Sequence, residues 1–341
     1  MRKSEPRLAL VLLGIFLALA AGEFLLRLKI IPNHYHESAA LSPDGEKMNP
    51  RSRLLILGDS FMNNWKTGWS PYEFLLKNLE PLHVQVLNTA FGGSGPREYL
   101  ESLGTYGKKF GPGVILLSYY VGNDLTNVQY EKEREMRHPL KRFLKSYLDQ
   151  FYLYKLSDDI RDRWFLCGLR SRMTEDFKSD PELAGAAGQH QVNPFLFDLG
   201  REKPNYILDN LLIATEENQN AWRETRSILA KIHRLSQEMN AKLVIVIYPH
   251  TVQINRSHFD FFRKLHFNLD ENTLTSDKPQ GLLKDFCRQK EIPCLDLLPA
   301  FRQSRDAEFY QPFDDHLNAR GSKKAARSIF NFLKIRAGKG G

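Results

Sequence analysis

The chain has 341 residues, with 48 Lys and Arg against 40 Asp and Glu, so its formal net charge is +8. Hydrophobic residues make up 42% and charged residues 26%, which is typical of a globular protein and excludes disorder, collagen and a multi-span membrane protein. The basic surplus suggests an anionic partner, but it forms no continuous basic run, so the sequence predicts no nucleic-acid binding.

The first elements in the chain predict a membrane anchor. Residues 8–26 are apolar except for Glu23, and Arg2, Lys3 and Arg7 precede them. About 20 apolar residues span a bilayer, and basic residues favour the cytoplasmic side. We therefore predict a single-pass anchor in the inner membrane at residues 1–31, a linker at 32–52 and an extracytoplasmic, periplasmic domain. A signal peptide cleaved after 18–20 (Ala-Leu-Ala) and a buried core helix are the alternatives.

Short apolar runs alternate with helical patterns from residue 53 onward. The predicted strands are Arg53–Leu57, His83–Leu87, Gly113–Tyr119, Lys242–Tyr248 and Ile292–Leu297. The predicted helices are Tyr72–Asn78, Pro96–Tyr106, Glu217–Met239, Asp277–Gln289 and Ala319–Lys334. Alternation of this kind indicates an α/β domain with a parallel sheet, here spanning residues 53–337.

An insert of aromatic and basic residues interrupts the alternation at about residues 128–215. Residues 140–156 have a helical pattern, and residues 178–210 resemble a loop. An excursion of this length is usually functional or lid-like in a compact domain, although a decorative helical hairpin is the alternative.

The three cysteines, Cys167, Cys287 and Cys294, have the spacing of neither a disulfide framework nor a zinc site. Cys287 and Cys294 could form a bridge from a helix end to the next strand, or remain two separate thiols. We predict no metal and no cofactor.

Polar residues follow each of the first three predicted strands. Gly58-Asp59-Ser60 follows the first, a glycine-rich loop with Gly93 follows the second, and Asn123 follows the third. Each motif taken alone could be an ordinary turn or helix cap. At the carboxyl edge of a parallel sheet, however, they would supply a serine nucleophile, backbone N–H groups and a side-chain amide for an oxyanion.

Near the C-terminus, Asp314-Asp315-His316 precedes the closing predicted helix. A neighbouring carboxylate can fix the tautomer and orientation of a histidine that acts as a base. The alternative is a solvated polar cap. Taken together, the four motifs supply the nucleophile, base, orienting acid and oxyanion donors of a serine esterase.

At these motifs the sequence resembles the SGNH/GDSL hydrolase superfamily. The resemblance covers about residues 50–127 and 216–337. It implies a flavodoxin-like three-layer α/β/α sandwich with strand order 2-1-3-4-5. It also implies Ser60 as nucleophile, His316 as base, and an oxyanion hole made by Ser60, Gly93 and Asn123, supported by Gly58, Asp59 and Asp124.

Two departures from the superfamily pattern affect the assignment. Gly122 directly precedes Asn123, where the pattern has one residue between them. Phe313 stands where an Asp-x-x-His block would have its acid, so Asp314 is assigned as the orienting residue, with Asp315 as the alternative. The Asp-x-His form is similar to the membrane-associated branch, which includes proteins that O-acetylate alginate.

The predicted function is therefore an acyl-ester hydrolase of the cell envelope, acting on a glycan or lipid ester, most simply an O-acetyl ester. The alternatives are an O-acyltransferase that modifies a cell-surface polysaccharide, a lysophospholipase or thioesterase, and an inactive glycan- or lipid-binding module.

Overall fold

The computed structural model describes residues 20–24, 53–63, 70–129, 152–303 and 308–337. The chain divides into two compact units. The smaller contains residues 1–37 and 133–178, and the larger contains residues 38–132 and 179–341. The five-stranded sheet and all the motifs singled out above belong to the larger unit.

The sheet of the larger unit is wholly parallel and has the predicted order β2-β1-β3-β4-β5. Its strands are β1 (Arg53–Leu57), β2 (Gln85–Asn88), β3 (Val114–Tyr120), β4 (Lys242–Tyr248) and β5 (Cys294–Asp296). The α/β class and the central parallel sheet are therefore confirmed. The carboxyl ends of β1 and β3 are adjacent, because Leu57 is in register with Leu117.

Side chains of both faces of the sheet are buried, as continuous apolar strands require. Leu54 and Ile56 belong to a core cluster that also contains residues of the helices Pro71–Leu79 and Ala319–Ala337. Leu55 and Leu57 are fully buried on the opposite face, since side chains alternate along a strand. The helix Glu216–Glu238 contacts β4 and the helix Pro96–Ser102.

The described α-helices of four residues or more in the larger unit include the five predicted ones, with changes at their ends, and others that were not predicted. They are Pro71–Leu79, Pro96–Ser102, residues 124–129, Pro181–Gly188, Pro194–Glu202, Tyr206–Leu212, Glu216–Glu238, Arg256–Lys264, Asn272–Thr275, Lys278–Gln289, Leu298–Arg302 and Ala319–Ala337. The predicted helix Pro96–Tyr106 changes to a π-helical turn at Leu103–Gly107.

The loop predicted for residues 178–210 is wrong, because this segment contains the helices Pro181–Gly188, Pro194–Glu202 and the start of Tyr206–Leu212. Two of these helices begin with an Asx N-cap followed by proline. Asp180 caps the first through the N–H of Leu183, and Asn193 caps the second through the N–H of Phe195. An Asp-Pro or Asn-Pro pair is a known signal for the start of a helix. The apolar pattern after each pair is short, so the sequence did not predict a helix there.

The described residues of the smaller unit comprise a helical stretch at residues 20–24 and the helix Tyr152–Asp176, followed by a 3₁₀ turn that starts at Phe177. Among the helices that the structure describes, none is long and apolar enough to span a bilayer. The predicted anchor at residues 1–31 lies outside the described residues, apart from 20–24, and so does the predicted helical segment 140–151.

Candidate active site

Ser60 lies in a tight turn directly after β1, at the carboxyl edge of the sheet. Gly58 begins the turn, and a Cβ at that position would lie 2.8 Å from the Cβ of Ser118 on β3. The buried carboxylate of Asp59 accepts the N–H of Phe61 at 3.0 Å, which fixes the backbone on both sides of Ser60. The described part of the turn ends at residue 63, and the described chain resumes at residue 70, directly before the helix Pro71–Leu79.

A compact loop before the last helix carries His316 to the same edge. The N–H of Gln311 donates to the carbonyl of His316 at 2.9 Å, and Tyr310 forms an antiparallel bridge with Leu317. The side-chain amide of Asn318 donates to the carbonyls of Glu308 and Tyr310, at 2.9 and 3.1 Å. These bonds close the loop at its base and present His316 towards β1.

Two consecutive hydrogen bonds join the predicted nucleophile, base and acid. The distance from Ser60 Oγ to His316 Nε2 is 2.9 Å, and that from His316 Nδ1 to Asp314 Oδ1 is 3.0 Å. With the Nδ1 proton directed at Asp314, Nε2 is free to accept the proton of the serine hydroxyl. The geometry is that of a serine nucleophile beside an oriented base.

Asp314 is stabilised as an anion. Its Oδ1 accepts the side-chain amide of Asn193 at 2.9 Å and the N–H of Asp315 at 2.8 Å, in addition to His316. Burial would raise the pKa of this carboxyl, but the positive charge of His316 and these donors outweigh it and lower the pKa to about 2. Asn193 is a site residue that the sequence reasoning missed, since it lies 121 residues away in the insert.

Asp315 also faces the imidazole. Its Oδ1 is 3.1 Å from His316 Nδ1, and its Oδ2 accepts the hydroxyl of Tyr120 at 3.1 Å. Burial raises the pKa of the Asp315 carboxyl despite the nearby imidazole. Tyr120, the last residue of β3, was also missed by the sequence reasoning.

The imidazole of His316 is held in its protonated form more strongly than an isolated histidine. Burial disfavours the charged ring, but the charges of Asp314 and Asp315 outweigh it, so the pKa of His316 lies well above its usual 6.5. The ring of Phe61 stacks on it with centroids 5.6 Å apart and an interplanar angle of 23°.

Asn123 lies at the end of β3, next to the turn that holds Ser60. Its side-chain amide donates to Asp59 Oδ2 at 3.3 Å, which leaves the second amide hydrogen for another acceptor. Burial raises the pKa of Asp59 to about 6. Asp124, beside it, is fully buried and accepts the hydroxyl of Tyr99 at 2.8 Å and the N–H of Tyr120 at 3.0 Å, so it shapes the end of β3.

Gly122 is needed for the close approach of the Tyr120 ring, because a Cβ at Gly122 would lie 2.4 Å from the ring carbon that carries the hydroxyl. This contact gives a physical reason for a glycine directly before Asn123.

Gly93 lies in the exposed loop after β2, with a φ of 77° that favours glycine. The loop is tied to the serine turn by Ser94, whose hydroxyl donates to the carbonyl of Gly58 at 2.9 Å, and by the N–H of Phe91, which donates to the same carbonyl at 3.2 Å. These bonds bring the loop to the serine turn, although none of the hydrogen bonds between described residues joins Gly93 itself to Ser60, His316 or Asn123.

A cleft of about 520 Å³ borders the orienting acid. One wall is the segment 190–194 before the helix Pro194–Glu202, and the other is the segment 311–314. The N–H of Asn193 donates to the carbonyl of Phe313 at 3.3 Å and joins the two walls. The cleft therefore offers a substrate-sized space beside Asp314, with mixed amide and aromatic walls.

Asp314, Asp315 and His316 also form the one group among the described residues whose donor atoms lie close enough to hold a metal ion, within 4.8 Å of one another. The Nε2 atom of His316 contacts Ser60, and its Nδ1 faces the two carboxylates. This arrangement suits proton transfer from Ser60.

The structure also describes His250 and the cysteines Cys287 and Cys294. His250 is buried, and its ring nitrogen accepts the N–H of Val252 at the turn after β4. Cys287 and Cys294 are free thiols.

Residues 207–339 match the family described as SGNH hydrolase-like domain, acetyltransferase AlgX. This is less than half of the chain, and it includes Asp314 and His316 but not Ser60 or Asn123. No curated protein matches the chain.

Among solved structures, the chain is similar to a lipase/acylhydrolase from Enterococcus faecalis, with 10% identity over 83% of this chain and 96% of that one, and a TM-score of 0.41. It is also similar to the psychrotrophic esterase EstA from Pseudoalteromonas, with 11% identity over 84% and 99% and a TM-score of 0.39. A mutant of the Geobacillus acetyl-xylooligosaccharide esterase Axe2 has 10% identity over 84% and 96%, and a TM-score of 0.43. Similarity at this level does not establish a shared activity.

Proposed function

We propose that the chain is an SGNH-type serine hydrolase of acyl esters. The observation that carries the proposal is the hydrogen-bonded sequence from Ser60 Oγ through both nitrogens of His316 to Asp314, at 2.9 and 3.0 Å. The family match over residues 207–339 supports ester or acetyl chemistry at the family level.

In the proposed reaction, Ser60 Oγ attacks the acyl carbonyl carbon and its proton passes to His316 Nε2. Asp314 stabilises the imidazolium that results. The oxyanion accepts the Ser60 N–H, the Gly93 N–H and the free amide hydrogen of Asn123. The carbon–oxygen bond to the alcohol breaks, and the alcohol leaves with the proton from His316. Water then attacks the acyl carbonyl carbon of the acyl-enzyme while His316 takes its proton. The bond from that carbon to Ser60 Oγ breaks, Ser60 regains its proton from His316, and the acid is released.

The test is hydrolysis of p-nitrophenyl acetate by the full chain and by Ser60→Ala. We expect the wild type to hydrolyse it and the variant to lose roughly a thousandfold or more in kcat/KM, since the nucleophile is removed. Thr89→Ala is the matched control, because it removes a hydroxyl just after β2 whose hydrogen bond among the described residues is to the carbonyl of Ile56. Equal rates for wild type and Ser60→Ala would reject the proposal.

Acyl transfer is the second candidate, favoured by the match to an acetyltransferase family. The acyl-enzyme would then be attacked by a sugar hydroxyl in place of water. Incubation with an acetyl donor and a glycan acceptor separates the two, because transfer yields an acetylated glycan while hydrolysis yields only free acetate. A protein that acts only on lipid esters or thioesters, or one that binds a glycan or lipid without turnover, would give neither product in this assay.

We also propose that the chain is anchored in the inner membrane by residues 1–31, with its catalytic unit on the extracytoplasmic side. The apolar stretch 8–26 and the preceding Arg2, Lys3 and Arg7 support this orientation. Protease added to intact spheroplasts should digest the catalytic unit, and its full protection would reject the orientation.

A further inference from the structure

Two carboxylates, not one, face the Nδ1 atom of His316. Asp314 Oδ1 lies 3.0 Å from it and Asp315 Oδ1 lies 3.1 Å from it. A single N–H donates well in one direction at a time, and the hydrogen bond is directed at Asp314. Among the described residues, Asp315 Oδ1 is buried and has no hydrogen-bond donor. The second carboxylate therefore interacts with the imidazole chiefly through its charge.

A buried carboxylate oxygen without a donor costs free energy, so another interaction must hold the Asp315 side chain in this position. The Tyr120 hydroxyl supplies one, because it donates to the other oxygen of Asp315 at 3.1 Å. This bond joins the end of β3 to a loop 195 residues away, and it directs Oδ1 towards the ring.

The Tyr120 ring is held on several sides. It packs on Phe61 with centroids 4.1 Å apart and on His250 with centroids 6.0 Å apart. Its backbone N–H donates to Asp124 Oδ2 at 3.0 Å, and Gly122 leaves room for the ring. Phe61 in turn stacks on His316, so one buried stack includes both the tyrosine and the proposed base.

We propose that Tyr120 and Asp315 are positioning residues of the reaction, forming a second support for His316 beside the pair Asn193 and Asp314. This inference rests on the proposed function of Ser60 and His316. Asn193 and Asp314 direct the Nδ1 proton. Tyr120 and Asp315 add a second negative charge on the same side of the ring, and this charge sets the pH above which His316 becomes a neutral base.

The charges around the imidazole decide whether the pKa of His316 rises or falls when Asp315 is replaced. A second anion beside the imidazole favours its protonated form, so removing the charge of Asp315 lowers the pKa of His316. Other titratable groups near this centre, among the described residues, include Asp59, Tyr248, His258, Tyr310 and Asp314. They are unchanged in the variants below, so differences between variants report on Asp315.

The experiment compares the full-length wild type with Asp315→Asn, Tyr120→Phe and the control Tyr119→Phe. Tyr119 is the buried neighbour of Tyr120 on β3 and points to the other face of the sheet. The readouts are the pH profile of kcat/KM for p-nitrophenyl acetate and the NMR titration of the His316 ring.

For Asp315→Asn we expect the acid limb of the kcat/KM profile and the His316 titration to move together to lower pH. The variant is then relatively more active in acid and less active at the wild-type optimum. For Tyr120→Phe we expect a loss of roughly tenfold at the optimum, the usual size for losing a hydrogen bond to a charged group. Tyr119→Phe should match the wild type.

The two proposals fail in different ways. A wild type without hydrolysis rejects the serine hydrolase, while the NMR titration still tests the second support. Hydrolysis by the wild type, with a His316 titration that Asp315→Asn leaves unmoved, rejects the second support alone. Circular dichroism checks that each variant is folded, and if Asp315→Asn fails to fold, an unchanged rate and titration in Tyr120→Phe overturns the inference.

Discussion

The ionisation of Asp59, in the turn that carries Ser60, should make the stability of the fold depend on pH. It is fully buried, it accepts the N–H of Phe61 and the amide of Asn123, and burial raises its pKa from 3.8 to about 6. The folded chain thus holds this proton more tightly than the unfolded chain. As the pH rises from about 4 to about 6, the unfolded state loses the proton first, and the native state becomes less stable relative to it.

We predict that Asp59→Asn removes this pH dependence. Relative to the wild type, the free energy of unfolding of the variant should rise by about 1–3 kcal/mol between about pH 4 and about pH 7. Urea unfolding of both proteins at the two pH values measures it. The two amides placed face to face in the variant add a cost that is the same at both pH values, so it cancels. A constant difference between the proteins would contradict the raised pKa.

Single residues also show where sequence reasoning ends. Ser60, Asp314 and His316 could be predicted to lie together because each stands in a short motif at a predicted strand or helix end. Tyr120 and Asn193 were not found, because their partners are 195 and 121 residues away and nothing local in the sequence specifies these hydrogen bonds. Gly93 was assigned from the superfamily resemblance, and its part in an oxyanion hole stays a prediction.

At the scale of elements, β1 and β4 have the predicted bounds because their apolar runs begin and end sharply, and both are buried on two faces. The segment 178–210 was wrongly predicted as a loop because its helices are short and only partly apolar. The start of the helix Pro194–Glu202 is also the point where the insert contacts the site, through Asn193.

Replacing two helix N-caps, one at the site and one away from it, distinguishes an effect on helix stability from an effect on the geometry of the site. Asn193→Ala removes the cap of Pro194–Glu202 and the bond to Asp314. Asp180→Ala removes the cap of Pro181–Gly188 and an ion pair with the half-exposed Lys264. Each should lose about 1 kcal/mol of stability through its cap, measured by urea unfolding, and Asn193→Ala should lose more because the buried Asp314 loses a donor.

Only Asn193→Ala should also lower kcat/KM for p-nitrophenyl acetate, by roughly tenfold, because Asp314 loses a charge-assisted donor. Equal kcat/KM values for the two variants would mean that the bond from Asn193 to Asp314 does not support the reaction.

On the scale of the whole molecule, the candidate site combines residues from near the beginning and near the end of the larger unit. Ser60 follows the first strand, and His316 precedes the last helix, 256 residues later. That helix, Ala319–Ala337, packs on Pro71–Leu79, the first described helix after β1. The two ends of the larger unit therefore stabilise each other directly, and the alternating strands and helices made the overall order predictable from the sequence.

We expect hydrolysis and the main cooperative unfolding transition to have the same midpoint in urea, because the distance from Ser60 to His316 is set by the complete sheet. Parallel measurement of p-nitrophenyl acetate turnover and circular dichroism checks this. Loss of turnover at clearly lower urea would show instead that the loop carrying His316 opens on its own.

The distance in sequence between Ser60 and His316 also has a consequence for biosynthesis. A ribosome completes β1 and the serine turn long before it reaches the histidine, so a nascent chain carries a serine hydroxyl with no base beside it. Under the proposed mechanism, such a chain lacks the base that Ser60 needs, whatever fraction of the sheet has already folded. Under the same mechanism, we expect translation products that end before His316 to lack hydrolytic activity.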